Sequence, residues 1–144
     1  EREGEQLKED ILAKLHAMSS NISGIEERYP QMVGDYRKKL TDKVRELLAD
    51  SNIDESRIAT EVVIYADKIC VDEETVRLRS HITGMEEELL RGGNVGRKLD
   101  FIAQEMDREA NTILSKANDI TVSNMAIDLK TEIEKIREQV QNIE

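Results

Sequence analysis

The sequence predicts an all-α protein: an elongated helical bundle with a long, heptad-patterned N-terminal helical arm and a central antiparallel helical hairpin. Three observations predict it. Apolar residues recur at alternating spacings of four and three along much of the 144-residue chain. Charged residues make up 36% and aromatics 3%, with one Phe, three Tyr and no Trp, a composition suited to slender helices meeting along narrow seams. The breaks between periodic stretches are short and rich in Gly, Asn, Asp and Ser, which stop helices and turn the chain.

Residues 1–50 form the arm. Leu7, Ile11, Leu15, Met18, Ile22, Ile25, Tyr29, Met32 and Tyr36 make a sustained seam, and Leu40, Val44 and Leu47 continue it after a change in spacing. One helix of about 48 residues would be roughly 70 Å long. Pro30 lies off the seam but removes a backbone hydrogen bond, so a kink there, or two helices meeting, is expected. The seam fits a partner helix in the same chain or in another. Arg37, Lys38, Lys39, Lys43 and Arg45 are the densest basic run, yet Asp35, Asp42 and Glu46 interleave with them, which favours a solvated face over an RNA-contacting patch. His16 has no cluster of ligands nearby, and Asp50, Ser51 and Asn52 are turn formers that end the arm.

Residues 51–144 form the helical C-terminal region. Asp54 is placed to cap a helix whose Ile58, Val62, Tyr65 and Ile69 share a face. Asp72, with Thr75, opens a further helix with a seam of Leu78, Ile82, Met85 and Leu89 and an adjacent stripe of Glu74, Arg77, His81 and Glu88. Gly92, Gly93, Asn94 and Gly96 then break it. No strand precedes GGNVG and no Gly-Lys-Ser/Thr follows it, so it reads as a helix stop, not a phosphate loop. Residues 96–119 read as one helix. Its apolar face is Leu99, Ile102, Met106, Ala110, Ile113 and Ala117, and at about 100° per residue Lys98, Glu105, Thr112 and Lys116 align, with Phe101, Arg108, Glu109 and Asp119 beside them. After a turn over Asp119–Ser123, Val122, Ala126, Leu129, Ile133, Ile136, Val140 and Ile143 resume an unbroken heptad.

A net charge of −10 argues against indiscriminate nucleic-acid binding, which rests on a broad basic surface. Residues 91–118, with five basic and four acidic side chains, are the one stretch with a positive balance. Cys70 is the single cysteine, which excludes an intrachain disulfide and a cysteine-based zinc site. No apolar run approaches the roughly 18 residues of a membrane span, and no signal peptide opens the chain. A cytoplasmic setting without a membrane partner is expected. The opening at Glu1, without methionine, reads as the start of a fragment.

The break at Gly93 carries the sharpest geometric expectation. If the flanking helices fold back antiparallel, His81 and Glu105 each lie twelve residues from the bend, about 18 Å along each helix. Arg77 and Glu109 match at the next level. Glu105 and Glu109 offer hard oxygen ligands suited to Mg²⁺ or Mn²⁺, Arg97, Arg108 and Lys116 are able to clamp a phosphate, and His81 is suited to general acid or base work. Phosphodiester hydrolysis uses all these parts. An interhelical salt-bridge network of Glu105, Glu109, Arg77 and Arg108 uses the same residues, and spacing alone favours that network, since structural networks imitate active sites. A di-iron carboxylate bundle is excluded, because neither His16 nor His81 has Glu three residues before it. No nucleophilic triad is supported.

The runs RLRSHI at Arg77–Ile82, GRKLDFIAQEMDREANTILSKAND from Gly96 and EKIREQVQNIE at Glu134–Glu144 resemble the C-terminal region of the YicC/YloC family of bacterial proteins. The resemblance extends through the arm, including EREGEQLKEDI and the Glu-Arg-Tyr-Pro stretch ending at Pro30. It implies a stress-associated, cytoplasmic endoribonuclease, a hydrolase acting on RNA, that needs a divalent metal (Mg²⁺ or Mn²⁺), uses no small-molecule organic cofactor and assembles into homo-oligomers. It also implies an additional N-terminal domain beyond this chain. The motif positions are Arg77, His81, Gly96, Arg97, Asp100, Glu105, Arg108, Glu109, Asn111, Lys116 and Asp119. On chemistry, His81, Glu105 and Glu109 are expected to be catalytic, and Arg77, Arg97, Arg108, Asn111 and Lys116 to bind RNA phosphates. Glu105 and Glu109, with Asp100 and Asp119 as further carboxylates, are expected to bind the metal. The alternative is a helical oligomerisation module with its chemistry in the absent N-terminal domain.

Overall fold

The computed structural model describes residues 2–49 and 53–142. Five α-helices account for almost all of them: α1 (Arg2–Leu48), α2 (Glu55–Ile69), α3 (Asp72–Arg91), α4 (Gly96–Lys116) and α5 (Ile120–Gln141). The expected turn at Asp50, Ser51 and Asn52, and Ile143 of the last heptad, lie outside the described residues. No described helix is long and apolar enough to cross a membrane.

α1, α3, α4 and α5 form a four-helix bundle in which α3 and α5 each pack against both α1 and α4. Every neighbouring pair is antiparallel. The hairpin turns at residues 92–95 and 117–119 set this for α3/α4 and α4/α5. Arg28 reaching Asp119, and the early turns of α1 lying beside Asn142, set it for α1/α5. The heptad positions fill the core: Ile11, Leu15, Met18, Ile22 and Ile25 from α1, Leu78 and Met85 from α3, Leu99, Met106 and Ile113 from α4, and Leu129, Ile133 and Ile136 from α5 are all essentially inaccessible. At Gly24, α1 and α5 come so close that an added Cβ would stand 2.9 Å from Cε of Met125.

The arm is one uninterrupted helix of 47 residues that passes through Pro30; two helices do not meet there. Pro30 faces solvent, while Ile25 and Met32 on either side are buried, so packing outweighs the roughly 3 kcal/mol an internal proline costs. Up to about Met32 the arm belongs to the bundle core. From Tyr29 onward α1 also pairs with α2: the Tyr29 hydroxyl donates to the Ala66 carbonyl at 2.7 Å and Tyr36 stacks on Tyr65 with ring centroids 3.9 Å apart.

The helix ends follow from local chemistry. Asp54 caps α2 by accepting from the backbone N–H of Ser56 and Arg57. Gly92 and Gly93 take φ of 74° and 81°, a left-handed conformation that glycine adopts without a Cβ penalty. The last turn is tighter than expected: α4 ends at Lys116, and Asp119 caps α5 through Val122 N–H.

Candidate functional site on the α3–α4 hairpin

The hairpin closes in the register expected from the glycine break. Arg77 Nε donates to Glu109 Oε2 at 2.9 Å, Lys98 Nζ lies 3.0 Å from Glu88 Oε1, and Lys116 Nζ donates to the Cys70 carbonyl at 3.2 Å. In all three pairs the two residues are equidistant from Gly93. Lys116 also lies 3.5 Å from Glu74, which Arg77 contacts at 3.4 Å. Glu74, Glu88 and Glu109 are buried, with 4%, 6% and 6% exposure, and every one of them meets a cation, as buried carboxylates require. Arg91 and Lys98 hold Glu88 below the usual carboxylate range; hydrogen bonding to Lys98 is the largest cause, opposed by desolvation. Glu109 in turn raises the Arg77 guanidinium.

His81 and Glu105 occupy a rung of this same register, between the Arg77–Glu109 and Glu88–Lys98 pairs. No ion pair or hydrogen bond joins them. Glu105 instead lies 3.7 Å from the exposed guanidinium of Arg108, one turn along its own helix. Both His81 and Glu105 are half-buried. The surface beside them is open: apart from its own stretch of helix backbone, nothing lies within 4 Å of where a Cβ would stand on Gly84, one turn from His81. The hairpin thus carries two ion pairs and a lysine–carbonyl hydrogen bond in register, and between the two ion pairs a histidine and a carboxylate at one level are left unpaired across the helices.

Around the corner from that rung, the outer face of α4 carries a shallow groove of about 540 Å³ lined by Gln104, Asp107, Arg108, Asn111, Thr112, Ser115 and Lys116. Three residues expected to bind phosphate, Arg108, Asn111 and Lys116, therefore share one surface. Lys130 enters from α5, donating to Asn111 and lying 3.4 Å from Asp107. Sequence reasoning missed Lys130, since nothing in the α5 heptad marks it. Arg97 stands exposed one helical stretch earlier, with no ion-pair partner among the described residues. Arg77, by contrast, is committed to Glu109, Glu74 and Glu73.

The expected metal ligands do not converge. Asp100 faces α5, from which Arg137 Nε donates to it at 3.1 Å, and Gln104, one turn along α4, donates to it at 2.9 Å. Asp119 lies beyond the end of α4, capping α5 and accepting two hydrogen bonds from Arg28 at 2.9 and 3.1 Å. Arg28 also holds its carboxyl below the usual range. Asp119 lies beyond the end of α4 at Lys116, itself 16 residues past Asp100, about 24 Å along the helix, so the two aspartates do not share an ion with each other, and Glu109 already commits Oε2 to Arg77. Among the described residues no group of three or more His, Cys, Asp and Glu side chains is placed to hold a metal. The donor set does not fit a closed metal cage.

The family model described as "Endoribonuclease YicC-like, C-terminal" matches residues 25–144. The chain belongs to the YicC family. It corresponds to the family's C-terminal region. Two relatives named "Probable endoribonuclease YicC", from Clostridioides difficile (strain 630) and Haemophilus influenzae (strain ATCC 51907 / DSM 11121 / KW20 / Rd), are 48% and 36% identical over 143 residues, 99% of this chain. The chain spans 49% of the length of each. In this YicC-family chain, the hairpin with the unpaired His81–Glu105 rung and the α4 groove lies wholly within the matched region.

Proposed function

We propose that this chain is the C-terminal helical region of an endoribonuclease that hydrolyses RNA phosphodiester bonds, with RNA lying along the outer face of α4. The observation that carries the reading is the gathering of Arg108, Asn111 and Lys116 on one open groove in a chain whose net charge is −10. Phosphate contacts position a nucleic acid, and here they run beside a histidine and a carboxylate at one level of the hairpin. His81 and Glu105 act as the proton-transfer pair: one takes a proton from the attacking oxygen and the other gives one to the leaving oxygen. Hydrogen bonds of catalytic groups are often long before substrate binds. Glu109 serves by holding Arg77, and with it the level of the helices at which His81 sits. A divalent metal is part of the proposal only as a requirement met by ligands beyond these residues, such as substrate phosphates, and no step is assigned to it.

The test compares RNA cleavage by the chain and by its Glu105→Gln and His81→Asn variants, with the full-length Clostridioides difficile relative as a control for conditions and with and without Mn²⁺ and chelator. Each variant is expected to lose roughly 10²- to 10⁴-fold in rate while retaining RNA binding. Full activity in a folded variant sinks that residue's role, and activity indifferent to chelator sinks the metal requirement.

A second reading, oligomerisation, rests on the far end of the arm. Leu47 there, and Val63 and Ile64 on the α2 helix that packs on the arm, are 72%, 66% and 57% exposed, and Leu40, Val44, Leu48, Ile53 and Ile58, edged by Asp54, Arg57 and Glu61, line a groove of about 310 Å³. Such apolar surface favours association. A strictly monomeric mass across concentrations removes this reading.

A further inference from the structure

Phe101, the only phenylalanine in the chain, is 62% exposed on the outer face of α4. The core does not need it. Leu99, Ala103, Met106, Ala110 and Ile113 complete the buried seam of that helix at 0% exposure, and Phe101 points away from them at helical spacing. One turn before it stand Arg97 and Lys98, one turn after it Gln104 and Glu105, and two turns after it Arg108; Lys98 is paired with Glu88 and Glu105 lies near Arg108. Arg97 has no ion-pair partner among the described residues, and Arg108 is held only by the long contact to Glu105. The groove begins at Gln104 and Arg108, immediately past the ring. An exposed aromatic between the guanidinium groups of Arg97 and Arg108, at the mouth of a polar groove, is an arrangement with which proteins hold unpaired nucleotides. The ring stacks a base while cations hold the phosphates on either side.

We propose that Phe101 is a stacking platform for an unpaired base, so that the α4 face selects single-stranded RNA over duplex. The proposal rests on the reading of α4 as the RNA surface and deepens it. Selectivity follows from chemistry: the faces of duplex bases are already covered by their neighbours, whereas a single strand offers a free π-face without sequence preference. A second copy of the chain is the rival occupant. Arg97, Arg108, Lys116 and Lys130 outnumber Glu105 and Asp107 on this surface, and that excess of cations favours the polyanion over a second copy, whose identical face would repel it.

Three measurements on the 144-residue chain, whose bundle core closes on itself, test this. Phe101→Trp introduces the only tryptophan, and its emission is expected to quench on titration with an oligouridine single strand and to stay unchanged with a duplex of the same length. Phe101→Leu, which keeps apolar bulk but removes the ring, is expected to bind the single strand about 5- to 150-fold more weakly with an unchanged dependence on salt. Phe101→Tyr is expected to restore binding. If Phe101→Leu binds as tightly as the unaltered chain while Arg108→Gln binds more weakly, the groove stands and the stacking role is overturned. If the unaltered chain binds no RNA, the α4 reading fails and the platform with it. If the tryptophan emission shifts with protein concentration in the absence of RNA, the ring serves a second copy and the proposal is overturned.

Discussion

Replacing Arg97 by Gln is expected to lower the salt dependence of RNA binding by a calculable amount while leaving the fold untouched. The α4 face offers three cations to phosphate. Arg97 has no ion-pair partner among the described residues, Arg108 is held only by a 3.7 Å contact to Glu105, and Lys116 makes contacts of 3.2 and 3.5 Å. Each cation that neutralises a phosphate releases condensed counterions, and for a single strand log K falls with log salt at a slope of about −0.7 per contact. Three contacts give a slope of about −2, so raising salt from about 50 to about 200 mM weakens binding roughly 18-fold. Without Arg97 the slope becomes about −1.4 and the same change costs roughly 7-fold. Arg97→Gln,Arg108→Gln should fall to about −0.7. Fluorescence anisotropy of a labelled oligonucleotide against a salt series measures these slopes. An unaltered slope in the double variant, with binding intact, refutes the assignment of phosphate contacts to α4.

Three further outcomes follow from packing and ionisation. Leu129→Ala, at a position with no exposure, should lose about 2–5 kcal/mol in urea unfolding, from lost transfer energy plus the cavity left between α5 and its neighbours. Gly34→Ala should stabilise by about 0.5–1 kcal/mol, since the site is helical and nothing lies within 4 Å of the new Cβ. Acid should destabilise the protein through Glu88 and Asp119, whose carboxyls Lys98 and Arg28 hold below their ordinary values. Because the folded pKa values are the lower ones, the stabilisation is complete above the unfolded values of about 4.3 and 3.9 and is lost as pH falls through the folded ones. Melting temperature against pH should drop below about pH 4, and Glu88→Gln and Asp119→Asn should flatten that drop.

Heptad positions on four helices foretell the core, because a helix buries whatever lies on one stripe regardless of its partner. The hairpin register is equally legible, since two glycines mark the bend and antiparallel helices rise at the same rate. Arg77 therefore meets Glu109. Asp119 and Asp100 depart from expectation because a helix ends early in one case and a neighbouring helix intervenes in the other. Asp119 joins the stripe only if α4 continues beyond Lys116; once the chain turns, the residue becomes a cap for α5 and a partner for Arg28, 91 residues away. Asp100 stands on the flank that α5 covers, and only the packing of α5 brings Arg137 to it. Glu74 and Glu88 are visible on the stripe with Arg77 and His81, yet their burial depends on Lys116 and Lys98 reaching across from α4. Pro30 shows the converse: the helix continues through it, with buried residues on either side.

The most direct test of the central claim is a map of where RNA touches this chain. Backbone amide resonances recorded during titration with a single-stranded oligonucleotide are expected to shift on the outer face of α4 from Arg97 to Lys116, at Lys130 beside the groove and at His81. Shifts confined to the basic run of α1, at Arg37, Lys38 and Lys39, with α4 unmoved, would contradict it.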